Sequence, residues 1–359
     1  MNRLPDLVIG DLRISPPIIQ GGMGVRVSTA KLVAAVSNEG ALGVIASVGL
    51  GEEGNNDLPY EERSRLAFRD LIRETKALTD NPFGVNIMYA LTNYDDLARV
   101  AIEEEVGAII SGAGLPLHLP LLRQDSKTKL IPIISSGRAA ELICKTWLRR
   151  YKILPDALVL EGPLAGGHIG FKYGELIGDN PPLLEDLLRE VLDVVCKFES
   201  KTKEKIPVVV AGGVFTGEDI AKMLKLGASG VQVATRFVCT DECDVSSAYK
   251  EAYLKSTKED IVVILSPVGM PARVIRNKFV DRIESGEKIK FICPFKCLKS
   301  CDPYAANYCI AQALVNAYRG NLEDGFVMCG ANAHRVKDIV SVKSLIKELS
   351  EEALNNYND

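Results

Sequence analysis

The feature that most constrains this chain is a series of eight short apolar runs, rich in β-branched residues, that alternate with helical segments. The runs are Pro17–Gln20, Leu42–Ser47, Phe83–Met88, Ala108–Ser111, Ile131–Ser135, Ala157–Glu161, Pro207–Ala211 and Gly230–Ala234. Short apolar runs are typical of strands buried on both faces of a parallel sheet. Eight of them predict an α/β fold that closes into a (βα)8 TIM barrel. A doubly wound open sheet is the alternative, because a strand count does not establish closure.

Helix signals lie between the predicted strands. Ser28 precedes an apolar-striped run that stops at Gly40, so we expect a helix capped by a serine and ended by a glycine. Thr216 precedes another run and has Asp219 three residues later, which is a variant of the capping box. The patterns at Tyr94–Glu105 and Arg138–Tyr151 predict two further helices.

Two segments exceed what a barrel needs. A charged helix is predicted at about residues 55–80, after the second strand. The C-terminal part contains an apolar helix near Tyr304–Tyr318 and a terminal helix from about Val342. We therefore expect a barrel domain over residues 1–260, and a helical, cysteine-rich extension over residues 261–359 that packs on the barrel.

Composition excludes several classes of partner. The chain has 359 residues, 47% of them hydrophobic and 25% charged, and a formal net charge of −4. Such a balance gives no electrostatic reason to expect nucleic acid or an anionic membrane. No apolar run reaches the roughly 18 residues that a membrane span requires, and the N-terminus lacks a continuous signal core. We expect a cytoplasmic protein that acts on a small-molecule substrate. The sequence is also compatible with a homodimer.

The residues that follow the strands form a glycine-dense rim. The active site of a TIM barrel lies at the carboxyl ends of its strands. Gly21 and Gly22 follow the first strand, Gly212 and Gly213 the seventh, and Gln232–Thr235 overlaps the end of the eighth. A glycine after a strand often only turns the chain. The glycine pair after strand seven and the neighbouring segment at the end of strand eight, with capped helices behind them, instead favour a phosphate site.

His168 is the candidate catalytic residue. It is one of three histidines and lies in a glycine loop after the sixth strand, where no local pattern requires an imidazole. An imidazole at that position can act as a base, an acid or an anion-binding donor near neutral pH. His118, in an apolar run, and His334, near the C-terminal tail, are interpreted as structural.

The motifs PIIQGGMG, GVNIM, EGPLAGGHIG, VVVAGGV and GASGVQVATRF occur in an order that resembles the nitronate monooxygenase family, formerly called 2-nitropropane dioxygenases. Flavin-dependent enoyl-acyl carrier protein reductases share the pattern. The resemblance covers about residues 16–237 and continues weakly through SPVGMPARVIRN.

The resemblance implies a TIM barrel that binds FMN without a covalent link. It implies cofactor contacts at Gly21, Gly22, Met23, Asn86, Glu161, Gly166, Gly212, Gly213, Gln232, Val233, Ala234 and Thr235, with His168 as the catalytic residue. Many relatives carry glutamine at the position of Glu161 and glycine at that of Ala234. An acidic Glu161 would disfavour an anionic reduced flavin, so it affects the tuning of the cofactor more than its binding.

The resemblance leaves several activities open. The first is the FMN-dependent oxidation of alkyl nitronates by oxygen to a carbonyl product and nitrite. The alternatives are an NAD(P)H-dependent reductase of enoyl-thioesters or of quinones, and a non-enzymatic flavin-binding sensor or scaffold. Barrels like IMP dehydrogenase require a nucleophilic cysteine on a rim loop, and no cysteine follows strands one to six on the rim.

Cysteines are concentrated in the C-terminal part of the chain. Cys293, Cys297, Cys301 and Cys309 lie within one short stretch. Four thiolates meet the ligand count of an iron–sulfur cluster or a structural zinc, so these residues are a candidate metal site. The CxxxCxxxC spacing differs from the usual CxxC pair, and the alternative is a set of reduced thiols that pack as small apolar groups.

Overall fold

Eight parallel strands form the main sheet of the structure, a computed structural model that describes residues 3–52, 57–178, 180–293 and 295–358. In chain order the strands are β1 (Leu7–Ile9), β2 (Leu12–Ile14), β3 (Ile18–Gln20), β4 (Val44–Ala46), β5 (Gly84–Met88), β6 (Ala108–Gly112), β7 (Lys129–Ile134), β8 (Leu158–Glu161), β9 (Gly167–His168), β10 (Val208–Ala211), β11 (Gly230–Val233), β12 (Ile261–Leu265) and β13 (Pro271–Ile275). The main sheet has the order β3-β11-β10-β8-β7-β6-β5-β4.

The sheet closes between β3 and the residues before β4. Ile19 and Leu42 form a parallel bridge. The Gln20 N–H donates to the Leu42 carbonyl at 2.9 Å, and the Leu42 N–H donates to the Ile18 carbonyl at 3.0 Å. The eight strands therefore form a barrel, and the doubly wound alternative is wrong. All eight predicted strands are present, with ends within two residues of those predicted.

Helices surround the barrel. They are α1 (Ala30–Asn38), α2 (Tyr60–Leu78), α3 (Tyr94–Glu103), α4 (Pro120–Arg123), α5 (Gly137–Tyr151), α6 (Tyr173–Ile177), α7 (Leu184–Thr202), α8 (Gly217–Lys225), α9 (Thr235–Val238), α10 (Ser247–Lys255), α11 (Lys278–Glu284), α12 (Ile310–Tyr318) and α13 (Val342–Asn358). The predicted charged insertion is α2, and positions 55 and 56 of that prediction lie outside the described residues.

The predicted caps of two helices had different outcomes. Thr216 and Asp219 form the predicted capping box at α8, with the Asp219 N–H donating to Thr216 Oγ1 at 3.2 Å. The predicted serine cap of α1 is wrong: the residue at the cap is Thr29, and its side chain makes no capping hydrogen bond. Ser28 instead ties down the preceding loop, as described below.

A hairpin that the sequence analysis did not predict covers the amino-terminal end of the barrel. Strands β1 and β2 pair antiparallel around Gly10 and Asp11. The apolar side chains of the hairpin, Leu7, Ile9, Leu12 and Ile14, belong to the same buried cluster as the barrel interior. The hairpin thereby shields that interior from water and contributes to the hydrophobic stabilisation of the barrel.

The C-terminal part of the chain is not purely helical. Strands β12 and β13 form a hairpin, and β13 pairs antiparallel with β9. Helix α12 begins at Ile310 and not near Tyr304, because Pro303 and an Asp302 side chain bonded to the Tyr304 N–H form a turn there. Helix α13 begins at Val342 as predicted, and its Glu352 accepts a hydrogen bond from the Gly217 N–H of α8 at 2.8 Å. None of the described helices is long and apolar enough to cross a membrane.

Candidate active site

A cavity of about 260 Å³ opens at the carboxyl ends of the barrel strands. Eleven of the twelve predicted cofactor residues line it, namely Gly21, Gly22, Met23, Asn86, Glu161, Gly166, Gly212, Gly213, Gln232, Ala234 and Thr235, and His168 lines it as well. Val233 is the exception, because its side chain is buried in β11 and does not face the cavity. The fold thus brings residues from five strand ends into one site.

The loop after β3 is held by Gln20 and Ser28. Gln20 is fully buried; its Nε2 donates to Ser28 Oγ at 2.8 Å, and its Oε1 accepts from the Val44 N–H at 3.1 Å. Ser28 Oγ also accepts from the Met23 N–H at 2.9 Å. These bonds fix the backbone of Gly21, Gly22 and Met23 along one wall of the cavity, which is what close approach to a planar ligand requires.

Two glycines that follow β10 permit backbone contact with a ligand. Gly212 and Gly213 have φ values of +83° and +122°, where L side chains are strained. A Cβ at Gly212 would lie 2.8 Å from the Gly162 carbonyl oxygen. Gly213 and Val214 line the cavity, and their N–H groups donate to no described residue. This pair provides donors for an anionic group.

Two polar side chains flank Ala211 on the floor of the cavity. Strand register places Glu161 on one side of Ala211 and Gln232 on the other. Gln232 Oε1 is buried without a hydrogen-bond partner. Glu161 makes no hydrogen bond or ion pair with any described residue, and burial raises the pKa of its carboxyl to about 7. A buried polar atom without a partner is costly, so Gln232 Oε1 is a group that a ligand would satisfy. The half-buried Glu161 carboxyl faces the same cavity.

His168 lies on β9, above this floor. Its register partner is Ala272 on β13, and the neighbouring Ile169 N–H donates to the Pro271 carbonyl at 2.9 Å. His168 Nε2 lies 3.1 Å from Ser266 Oγ, in the turn between β12 and β13. Burial lowers the pKa of His168 to about 4. The imidazole is therefore neutral at pH 7, with one nitrogen as donor and the other as acceptor.

The C-terminal part contributes a wall that the sequence analysis missed. Its cavity-lining residues are Cys297, Leu298, Ile310, Ala311, Leu314, Met328, Cys329 and Gly330. Two of the C-terminal cysteines, Cys297 and Cys329, thus lie at the cavity. Burial raises the pKa of both thiols, that of Cys297 to about 12. Neither is a thiolate at neutral pH, so neither is an activated nucleophile.

The four candidate metal ligands are near one another but are not arranged around a metal position in the structure, and metal binding by them stays a prediction. Among the described residues, no group of three or more His, Cys, Asp or Glu side chains is arranged to hold a metal ion. Cys293, Cys297, Cys301 and Cys309 are free thiols packed with the hydrophobic core. Burial is the largest cause of the raised pKa of Cys297, Cys301 and Cys309, which keeps these thiols neutral. In the structure these thiols therefore pack as small apolar groups.

The other two histidines lie outside the cavity lining. His118 lies between Tyr89 Oη, 3.2 Å from Nδ1, and Asp95 Oδ1, 2.8 Å from Nε2. His334 Nδ1 is 3.1 Å from the Ala331 carbonyl oxygen. Both therefore make local contacts that stabilise loops, in agreement with their interpretation as structural.

Fold and cavity together define a (βα)8-barrel enzyme whose active site lies at the carboxyl ends of the strands. Within that class the chain belongs to the nitronate monooxygenase family, because a family model described as nitronate monooxygenase matches residues 6–352. FMN-dependent oxidoreductases make up this family.

Curated relatives carry two kinds of activity. The chain is 33% identical over 278 residues to a (3aS,4S,5R,7aS)-5-hydroxy-7a-methyl-1-oxo-octahydro-1H-indene-4-carboxyl-CoA dehydrogenase of Mycobacterium tuberculosis, covering 77% of this chain and 68% of the relative. Its counterpart in Rhodococcus jostii is 31% identical, and the match spans 76% of this chain and 65% of that relative. A nitronate monooxygenase of Pseudomonas aeruginosa is 31% identical over 308 residues, covering 77% of this chain and 81% of the relative.

Solved structures agree on the fold. FabK from Thermotoga maritima superposes with a TM-score of 0.75 at 32% identity, over 96% of this chain and 94% of FabK. A nitroalkane oxidase from Streptomyces ansochromogenes superposes with a TM-score of 0.73 at 22% identity, over 96% of this chain and 97% of the other. At that identity the second likeness concerns the fold alone.

Proposed function

We propose that the cavity binds FMN and that the enzyme oxidises alkyl nitronates with oxygen to a carbonyl product and nitrite. The observation that carries this proposal is the neutral His168 over a glycine-lined cavity, in a chain that aligns with 81% of a nitronate monooxygenase.

The residues present fit the cofactor. Gly213 and Val214 would provide N–H donors for its phosphate, and the backbone of Gly21–Met23, which lines the cavity, would contact its ring system. The unpartnered Gln232 Oε1 on the floor accepts a hydrogen bond from a ligand N–H. Bound there, FMN supplies the electron-transfer chemistry, and the protein supplies position and electrostatics.

His168 is the residue that handles the substrate in this proposal. Its neutral imidazole accepts the α-proton of a nitroalkane, or donates its N–H to an oxygen of a nitronate. Ser266 Oγ at Nε2 holds the ring orientation. The cavity lining contains no Lys or Arg among the described residues, so the charge of a bound nitronate is met by N–H dipoles and not by a cation.

A second candidate is oxidoreduction next to the carbonyl of a thioester. The wall from the C-terminal part is largely apolar, with Leu298, Ile310, Leu314 and Met328 facing the cavity. Such a wall suits a hydrocarbon substrate, and the relatives include a CoA-ester dehydrogenase and FabK. In this case NAD(P)H would be the reductant, and His168 would orient the carbonyl or help to protonate the product.

Anaerobic titration of the FMN-loaded protein separates the two candidates. Bleaching of the flavin absorbance by an alkyl nitronate, with nitrite formed on admitting oxygen, is the expected result. Bleaching by NADPH or NADH, followed by reoxidation on adding an enoyl-CoA, would support the second candidate and contradict the first. If neither an alkyl nitronate nor NADPH or NADH bleaches the flavin, both candidate activities are contradicted. The protein would then be a flavin-binding module without this catalysis.

A further inference from the structure

Glu161 is an acidic residue of the cavity lining, and the proposed nitronate chemistry does not use its charge. It ends β8, faces the cavity and has no partner among the described residues. The inference below rests on the proposed binding of FMN.

Among the described residues that line the cavity, none carries a charge that compensates that of Glu161. The other titratable side chains in the cavity lining are His168, Tyr249, Tyr253, Cys297 and Cys329. Burial is the main cause that lowers the pKa of the imidazole and raises that of the phenols and thiols, so all five are uncharged at neutral pH. The guanidinium of Arg273 is not part of the lining and donates to the Ala165 carbonyl.

Negative charge that arrives in such a cavity lacks a cation to balance it. Two electrons added to a bound cofactor raise the proton affinity of a nearby carboxylate, because like charges disfavour each other at short range. The carboxyl of Glu161 already has a pKa of about 7 before any electron arrives. A modest further rise makes it bind a proton across the neutral range.

We propose that Glu161 takes up one proton from solvent when the bound cofactor receives an electron pair, so that cofactor reduction is coupled to protonation of this side chain. The donor loses two electrons, the cofactor gains them, and a solvent proton forms an O–H bond on the Glu161 carboxylate. No bond in the protein breaks. On reoxidation the proton returns to solvent.

The pH dependence of the reduction equilibrium tests this coupling. Wild-type protein loaded with FMN is reduced stepwise with dithionite against reference dyes between pH 6 and 9. Above pH 7 we expect the reduction equilibrium constant of the wild-type protein to fall more steeply with pH than that of Glu161→Gln. The difference is one factor of ten per pH unit, which corresponds to about 30 mV for a two-electron couple. Below about pH 6 the slopes converge, because Glu161 is then protonated in both redox states.

Glu74→Gln is the matched control, since Glu74 is exposed on α2 and outside the cavity. It should keep the wild-type slope. Equal slopes in wild type and Glu161→Gln, with FMN bound and reduced normally in both, would overturn this inference and leave the proposed function intact. Failure of the wild type to bind FMN would contradict the proposed function, and this inference with it.

A second measurement needs only the wild-type chain. Redox-difference infrared spectra at pH 8, recorded with and without ¹³C-glutamate labelling, should show a protonated carboxyl band that appears on reduction and shifts with the label. The absence of any label-sensitive carboxyl band on reduction would also overturn the inference.

Discussion

Ser266 Oγ lies 3.1 Å from His168 Nε2, although 98 residues separate the two in the chain. The contact exists because β13 pairs with β9 and places the β12–β13 turn over the imidazole. That turn is closed by two backbone bonds, from the Ser266 N–H to the Met270 carbonyl and from the Gly269 N–H to the Ser266 carbonyl, each 2.9 Å. Since Ser266 is almost fully buried, the orientation of the imidazole depends on the C-terminal part of the chain.

Replacing His168 by alanine should leave FMN binding intact and strongly reduce turnover. The side chain lies on β9, outside the loops of Gly21–Met23 and Gly213–Val214 that are proposed to hold the ring system and the phosphate, so the loss falls on substrate handling. General acid–base groups contribute about 10²- to 10⁴-fold. The measurement is the FMN content together with steady-state kcat, and unchanged turnover would remove His168 from catalysis.

Replacing Ser266 by alanine should have a smaller effect. A neutral hydrogen bond contributes about 0.5–1.5 kcal/mol, so we expect kcat to fall by up to about tenfold. Because the ring would lose its orientation and not its basic nitrogen, the fall should appear in kcat with little change in KM. Ser266→Thr, which keeps the hydroxyl, should restore part of the rate, and Ser200→Ala, at an exposed position of α7, should match the wild type.

The barrel could be predicted from sequence because each strand is a local apolar pattern, and the rim residues follow from the rule that active sites lie at strand ends. The contribution of Ser266, Met328 and Cys297 could not be predicted in this way. Met328 and Cys297 reach the cavity, and Ser266 reaches His168, through tertiary pairing of β13 and packing of the C-terminal segments. A local sequence period does not predict such contacts. The β1–β2 hairpin was within reach, since apolar residues alternate on both sides of the Gly10–Asp11 turn.

Ser28 is a residue type that is typical of a helix cap, but it has a different role in the structure. Serine before a helical run is the usual signal of a cap, yet here the hydroxyl accepts from the Met23 N–H and from Gln20 Nε2. The tertiary hydrogen bonds of the loop after β3 therefore replace the capping bond that the local sequence pattern predicts. The loop of Gly21–Met23, which is proposed to contact the cofactor, therefore depends on a residue that the sequence analysis assigned to the helix.

Glu161 and His168 should give the stability of the cofactor-free protein two opposing pH dependences. Burial raises the pKa of Glu161 from its ordinary 4.5 to about 7, so the native state holds a proton that the unfolded chain releases, and stability falls as pH rises through that window. Burial lowers the pKa of His168 from 6.5 to about 4, so the unfolded chain holds the extra proton and stability rises with pH between those values.

The two slopes partly cancel between about pH 4.5 and 6.5, where each is at most about 1.4 kcal/mol per pH unit. Glu161→Gln should therefore steepen the rise of the free energy of unfolding with pH from 5 to 6.5, and should abolish the fall toward pH 7. Urea unfolding of the cofactor-free protein at pH 5, 6, 7 and 8 measures both effects. Parallel curves for wild type and variant would show that Glu161 titrates normally in the native state.

Gly166 should tolerate no side chain, because a Cβ there would lie 2.6 Å from the carbonyl carbon of Cys329 and 2.7 Å from its oxygen. These are backbone atoms that cannot rotate away, so Gly166→Ala must push the loop that precedes His168 away from the C-terminal wall. Overpacking of this kind costs about 1–3 kcal/mol, and we expect weaker FMN binding together with a lower midpoint of urea unfolding. Gly174→Ala is the control, since nothing lies within 4 Å of a Cβ at that position. If Gly166→Ala bound FMN as tightly as Gly174→Ala and unfolded at the same urea concentration, the close packing of the two loops would not hold in solution.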